Sequence, residues 1–164
     1  MPQSLVPDAA FGLTGEQIYQ CTGTVCAAEF QRWAAAVGDL DPVYFDESAA
    51  RQAGFRTIVM PQLFIAHVCG EATATADLND DGSNARDPME SLRLPAARLA
   101  AGGEACEFSG VAYPGDQITA RCTLDALEER SGRSGPFVLA TFQWQYRNQD
   151  DLLIAAARTT LIVR

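Results

Sequence analysis

Apolar and polar positions repeat with two different periods in the two halves of this chain. Between residues 118 and 126, Ile118, Ala120, Cys122, Leu124 and Ala126 alternate with Thr119, Arg121, Thr123 and Asp125. That period of two is the mark of a strand with one buried face. Val138, Ala140, Phe142, Trp144 and Tyr146 repeat it. Leu152 to Val163 reads as a third strand, and Leu94 to Phe108 as a less regular one interrupted at Gly102-Gly103. The turns between them are marked by Tyr113-Pro-Gly-Asp116, Ser131-Gly-Arg-Ser-Gly135 and Arg147-Asn-Gln-Asp-Asp151.

The first half reads as helical. Ala27 to Val37 carries Phe30, Trp33 and Val37 at spacings of three and four, which gives one apolar face, and Gly38 stops it. A short second helix is expected from Glu47 to Gln52, capped by Asp46. A third is expected to begin at Pro61 and run to about Ala76. Its opening turns are apolar nearly all round, as in a helix buried on most sides. A buried helix followed by long antiparallel strands predicts an α+β domain in which a curved antiparallel sheet wraps around a long central helix. Such a sheet needs cover, so association through its edge strands or open face is expected. The whole chain, 1–164, is expected to form one domain, with 1–14 loosely ordered and 77–91, rich in Asp, Asn, Gly and Ser, a surface loop.

Composition narrows the chemistry. The net charge is −9 and there is no lysine, which removes Schiff-base chemistry, lysine general bases and lysine-bearing phosphate loops. An acidic chain is also a poor partner for nucleic acid, whose phosphates demand a basic face. No apolar run is long enough for a membrane span, and the first residues lack the pattern of a signal peptide, so a cytoplasmic location is expected. The five cysteines, Cys21, Cys26, Cys69, Cys106 and Cys122, lack any C-x-x-C pair and read as small buried hydrophobes in a reducing compartment. No metal site is expected. The only histidine, His67, lies in the apolar run LFIAHVCG and reads as a hydrogen-bonded core residue.

Three carboxylates, Asp39, Asp41 and Asp46, fall within eight residues of the segment Gly38 to Asp46. Pro42 drives Asp41 out of helical conformation, so the segment is an ordered turn. From spacing alone, Asp39 and Asp41 have two readings, as turn and cap hydrogen-bonders or as chemistry-bearing groups. The longer stretch VGDLDPVYFDESAARQAGFRTIVMP resembles the signature of the MaoC-like hydratases and the related FAS1-like dehydratase N-terminal family. In those a G-D-x-N-P-x-H loop precedes D-x-x-x-A and a glycine-containing approach to the central helix. GGEACEFSGVAYPGDQITARCTLDALEER and YRNQDDLLIAAARTTLIV are similar to the strand pair and last hairpin of that family. The resemblance spans roughly residues 15 to 164.

The resemblance implies a hot-dog fold and an acyl-thioester hydratase or 3-hydroxyacyl-thioester dehydratase. It implies no cofactor beyond coenzyme A as part of the substrate. Asp39 occupies the position of the aspartate that activates water. Asp41 stands where the family has asparagine, and Tyr44, five residues after Asp39, where it has histidine. Met60, Pro61, Gln62, Leu63 and Phe64 match the start of the central helix, where backbone N–H groups polarise the thioester carbonyl. Hydration needs one group to deprotonate water and another to manage the proton at the neighbouring carbon, which a carboxylate–imidazole pair does near neutral pH. A phenol of pKa about 10 is a poor general base. The chain therefore resembles the family's incomplete subunits, which shape the acyl tunnel while a second hot-dog chain, in a heterodimer or heterotetramer, carries the Asp/His pair. The alternatives are a self-sufficient homodimer using Asp39, and a non-catalytic acyl-thioester binding module.

Overall fold

The computed structural model describes residues 5–69, 76, 78, 80, 88–94, 98–133 and 135–164. Its centre is one five-stranded antiparallel sheet. The chain enters through a single helical turn, α1 (Asp8–Phe11), and an edge strand, β1 (Gln17–Thr24). Helices α2 (Ala27–Val37) and α3 (Glu47–Gln52) follow, with a 3₁₀ turn at Pro42–Tyr44 between them. A 3₁₀ turn at Gln62–Phe64 leads into α4 (Ile65–Val68), and another 3₁₀ helix spans Pro88–Leu92. The remaining strands are β2 (Leu99–Phe108), β3 (Gln117–Gly132), β4 (Gly135–Arg147) and β5 (Leu153–Val163). Spatial order is β1-β3-β4-β5-β2, so β1 and β2 are the two edges.

The alternation in β3 and β4 does what its period predicts. Ile118, Ala120, Cys122 and Leu124 are buried, as are Val138, Ala140, Phe142 and Tyr146. They form one continuous inner face because the register sets Cys122 against Trp144 and Leu124 against Phe142. Two apolar clusters cover this face. Phe30 of α2, together with Met60, Phe64, Ile65 and Val68, packs on Ile118, Ala120, Tyr146, Ala155 and Ala157. At the other end, Val6, Ala10, Met89 and Leu92 close over Cys122, Leu124, Val138, Ala140 and Phe142. Among the described residues no helix is long and apolar enough to cross a membrane.

Four expectations change. Gln17–Thr24 is a strand, not part of a helical half; its alternation is masked by polar and small residues on both faces, and pairing with β3 decides it. The segment 1–14 is not uniformly loose, because Val6 and Ala10 are buried in the second cluster. The loop expected at 77–91 ends earlier, since 88–92 is helical and Met89 is buried. The helix expected from Pro61 to Ala76 is described only as far as Cys69, and residues 70–75 lie outside the described set. That described part is one-sided. Phe64, Ile65 and Val68 are buried, while Gln62, Leu63, Ala66 and His67 are exposed.

Candidate active site

The loop that carries the carboxylates is fixed by backbone chemistry at every step. Helix α2 ends on Gly38 with a left-handed φ of 78°, a conformation that costs glycine nothing. The Asp39 N–H then donates to the Ala34 carbonyl at 2.9 Å and the Gly38 N–H to Ala35 at 3.3 Å. This double closure sets the direction in which the chain leaves the helix. Asp41, extended before Pro42, accepts the Val43 N–H at 3.0 Å and so caps the 3₁₀ turn. Asp46 caps α3 by accepting from Ser48 (2.6 Å) and Ala49 (3.1 Å). From α2, the Gln31 side-chain amide donates to the Tyr44 carbonyl at 3.0 Å. The Val59 N–H donates to Val43 at 3.1 Å, which ties the loop to the approach to Pro61.

Two of the three carboxylates are thus structural. Asp39 is different. Its side chain is exposed, and the residue its charge acts on is the half-buried Tyr44. Burial raises the Tyr44 pKa above the usual phenol value, and the negative charges of Asp39 and Asp41 and the hydrogen bond to Asp39 push it the same way. At neutral pH the pair therefore sets Asp39 beside a protonated phenol. It can orient and polarise a water, but it holds no second group able to take up and return a proton.

The stretch before α4 offers fewer donors than the sequence suggests. The Met60 N–H is already used, donating to Ala112 at 3.0 Å, and Pro61 has none. Gln62 and Leu63 are left as first-turn N–H groups without an intrahelical acceptor. Both residues are exposed, with Leu63 at 65%, whereas Pro61 and Phe64 are buried and serve the core.

A family model described as FAS1-like, dehydratase domain region, matches residues 12–157. The chain belongs to this dehydratase family. An enoyl-CoA hydratase alpha subunit, described as probable, from Thermomonospora curvata is 30% identical over 80% of this chain, which spans 42% of that subunit. A UPF0336 protein from Streptomyces griseus is 25% identical, over 83% of this chain and 81% of its own length. In structure, the chain is similar to the ChsH1–ChsH2 complex from Mycobacterium tuberculosis, with a TM-score of 0.78 at 17% identity, covering 94% of this chain and 88% of that one. It is also similar to the HadBC (3R)-hydroxyacyl-ACP dehydratase complex of the same organism, at a TM-score of 0.64 and 19% identity, covering 90% and 98%. The architecture is the hot-dog fold.

Within this dehydratase-family chain, His67 is not the core residue expected from its apolar neighbours. It is exposed, resting against the rings of Trp33 (5.9 Å between centroids) and Phe64 (5.6 Å). Among the described residues no hydrogen bond joins it to Asp39 or Tyr44. Nor do three of His, Cys, Asp or Glu converge as metal ligands. A polar cluster that the sequence reading left as a simple turn lies elsewhere. Asp116 of the Tyr113–Asp116 turn is 5% exposed and accepts from the Tyr113 N–H (2.8 Å), Arg56 (3.1 Å) and Gln149 (3.3 Å). The Arg56 guanidinium stacks 4.0 Å above the Tyr113 ring. Together with Asn148, Leu152 and Ile154 these residues border a cavity of about 410 Å³ that neither Asp39 nor Tyr44 lines. The Pro-Gly-Asp motif was the available signal, but its partners lie 33 and 60 residues away in sequence.

Proposed function

We propose that this chain is the substrate-binding partner subunit of a heteromeric acyl-thioester hydratase or dehydratase. The carrying observation is the Tyr44 phenol, which stands at the family's histidine position beside Asp39 and is held protonated by burial and by the charges of Asp39 and Asp41. In hydration of an enoyl thioester, a base removes a proton from water as oxygen bonds to C3, and a proton reaches C2. Asp39 can begin that sequence, but a phenol with its pKa raised is not the acid–base partner that completes it. The second hot-dog chain supplies the Asp/His pair, and this chain contributes apolar wall and a carbonyl-facing helix start around Gln62 and Leu63. Coenzyme A enters only as part of the substrate.

Two further features support the reading. Among the described residues, strand β2 pairs only with β5, and its mostly exposed side chains mark an edge that can serve as a template for another strand. Leu40 and Leu63, each 65% exposed, and Phe45 at 40% are large apolar side chains open to solvent around the loop and the helix start. The test is an assay of crotonyl-CoA and longer enoyl-CoA hydration by this chain alone and with a hot-dog chain bearing an intact G-D-x-N-P-x-H loop. The expected result is negligible turnover alone, turnover by the complex, and no loss in the complex when Asp39→Asn is introduced here. Robust turnover by the lone chain that disappears in Asp39→Asn overturns the reading in favour of a self-sufficient homodimer.

A further inference from the structure

Four of the five cysteines are half-buried, and only Cys122 is fully buried. Cys122, Cys21, Cys69 and Cys106 pack in or against the core as small hydrophobes, as expected, but two of them also lie next to each other. Cys21 lies on β1 opposite Ala120, on the face turned toward the core. Helix α4 is pressed onto that face: a Cβ added at Gly23 would lie 1.8 Å from the Val68 carbonyl oxygen. The next residue, Cys69, is thereby delivered to β1. Its Sγ lies 3.4 Å from the Ile118 carbonyl oxygen and 3.9 Å from that of Cys21, which sets the two cysteines side by side.

We propose that Cys21 and Cys69 form a hydroperoxide-responsive dithiol that closes to a disulfide between β1 and the end of α4. Apolar filling does not account for a Cys69 thiol directed at the main-chain carbonyls of Ile118 and of Cys21 itself. The arrangement also divides the roles such a pair needs. The hydrogen bond from Cys69 outweighs burial and, with a smaller contribution from Tyr19, lowers the Cys21 thiol to about 7. The same hydrogen bond, with burial, pushes Cys69 up, so it stays protonated beside a nucleophilic neighbour. Cys106 is a built-in contrast, because burial and the charges of Glu104 and Glu107 all raise it.

The chemistry balances with hydrogen peroxide as oxidant. The Cys21 thiolate attacks one peroxide oxygen, an S–O bond forms as the O–O bond breaks, and the departing hydroxide is protonated to water. Cys69 then attacks the Cys21 sulfur; the S–S bond forms, the S–O bond breaks, and the oxygen leaves as water with the Cys69 proton. Two thiols are oxidised by two electrons in total and one peroxide is reduced to two waters. This site lies outside the Asp39 loop and does not depend on the proposed catalytic role.

The full-length chain is treated with stoichiometric hydrogen peroxide, alkylated, digested with trypsin without reduction and analysed by mass spectrometry. Cys26→Ser is used throughout, because Cys21 and Cys26 share the peptide ending at Arg32. The expected product is a thiol-reversible cross-link between that peptide and Thr57–Arg86. Cys21 should be consumed at least about 10-fold faster than Cys106 at pH 7, because its thiol is lowered to about 7 while that of Cys106 is raised above the ordinary value. In Cys69→Ser the reaction should stop at a Cys21 sulfenic acid that dimedone traps, and in Cys21→Ser Cys69 should remain reduced. Consumption of Cys21 and Cys69 no faster than Cys106, or a cross-link to any other cysteine or between chains, overturns the proposal even if both variants fail to fold.

Discussion

Two turns in this molecule are built from the same residue types, yet only one leaves its aspartate open to chemistry. In Tyr113–Asp116, proline and glycine deliver Asp116 into the interior, where three donors from three separate stretches of chain engage both of its oxygens. In Gly38–Asp46, glycine and proline deliver Asp39 to the surface, with the Tyr44 hydroxyl as its partner. A buried carboxylate with both oxygens engaged holds the fold together and is closed to a substrate. One that is exposed and lightly partnered adds little to stability and is available to a water or a thioester. The difference lies in burial and partners, not in residue type. It also separates members of one loop, since Asp41 and Asp46 spend an oxygen each on capping neighbouring N–H groups while Asp39 does not.

The comparison is tested most severely by restoring the missing group. Tyr44→His places an imidazole five residues after Asp39 in a loop whose backbone is already pinned by Gln31 and Val59. Crotonyl-CoA hydration by the lone chain should rise by about 10²-fold, the low end of what general acid–base catalysis contributes. An unchanged rate would show that asparagine at position 41 is also required, which Tyr44→His combined with Asp41→Asn would check.

The next effect is on stability. Asp116→Ala strands the Tyr113 N–H and the Arg56 and Gln149 side chains, so urea unfolding should show a loss of about 2–3 kcal/mol, the scale of charged hydrogen bonds broken in a buried site. Arg56 is itself exposed, which keeps the figure below that of a fully buried ion pair. Asp46→Ala should cost about 1 kcal/mol through loss of the α3 cap. Asp39→Asn should move stability by no more than about 0.5 kcal/mol, as for a surface substitution with no structural bond to break. If Asp39→Asn destabilised as much as Asp116→Ala, the distinction between the turns would collapse.

The smallest effect is a titration. Because burial and the two loop carboxylates hold the Tyr44 proton, its resonance, followed by NMR of ring-labelled tyrosine, should titrate above the ordinary phenol value of about 10. Asp39→Asn removes one charge beside the phenol, so the Tyr44 midpoint should fall, with burial and Asp41 keeping it from returning fully. The sign follows from linkage. A group whose folded pKa is raised adds stability below its unfolded pKa and loses it as pH rises through the folded one. Tyr44 therefore contributes at neutral pH and withdraws that contribution only in alkali.

The sequence by itself determined the elements whose information is local. The period of two in β3 and β4, the apolar run of β5, the apolar face of α2 and its glycine stop, and the Asp46 cap all depend on residues within a few positions of one another. So does the spacing of Asp39 from Tyr44, which carried the family resemblance before any contact was visible. What only the tertiary structure decided depends on partners far away in the chain. β1 is a strand because β3, about a hundred residues later, offers it a hydrogen-bonded edge, while its own alternation is too polar to declare it. The exposure of His67 and Leu63 follows from which side of α4 meets the sheet, a choice that a short run of apolar residues on every face cannot encode. The burial of Asp116 and the meeting of Cys21 with Cys69 have the same origin. In each case the determining contact spans more than thirty residues, and periodicity reports on a residue's own helix or strand but not on what folds down against it.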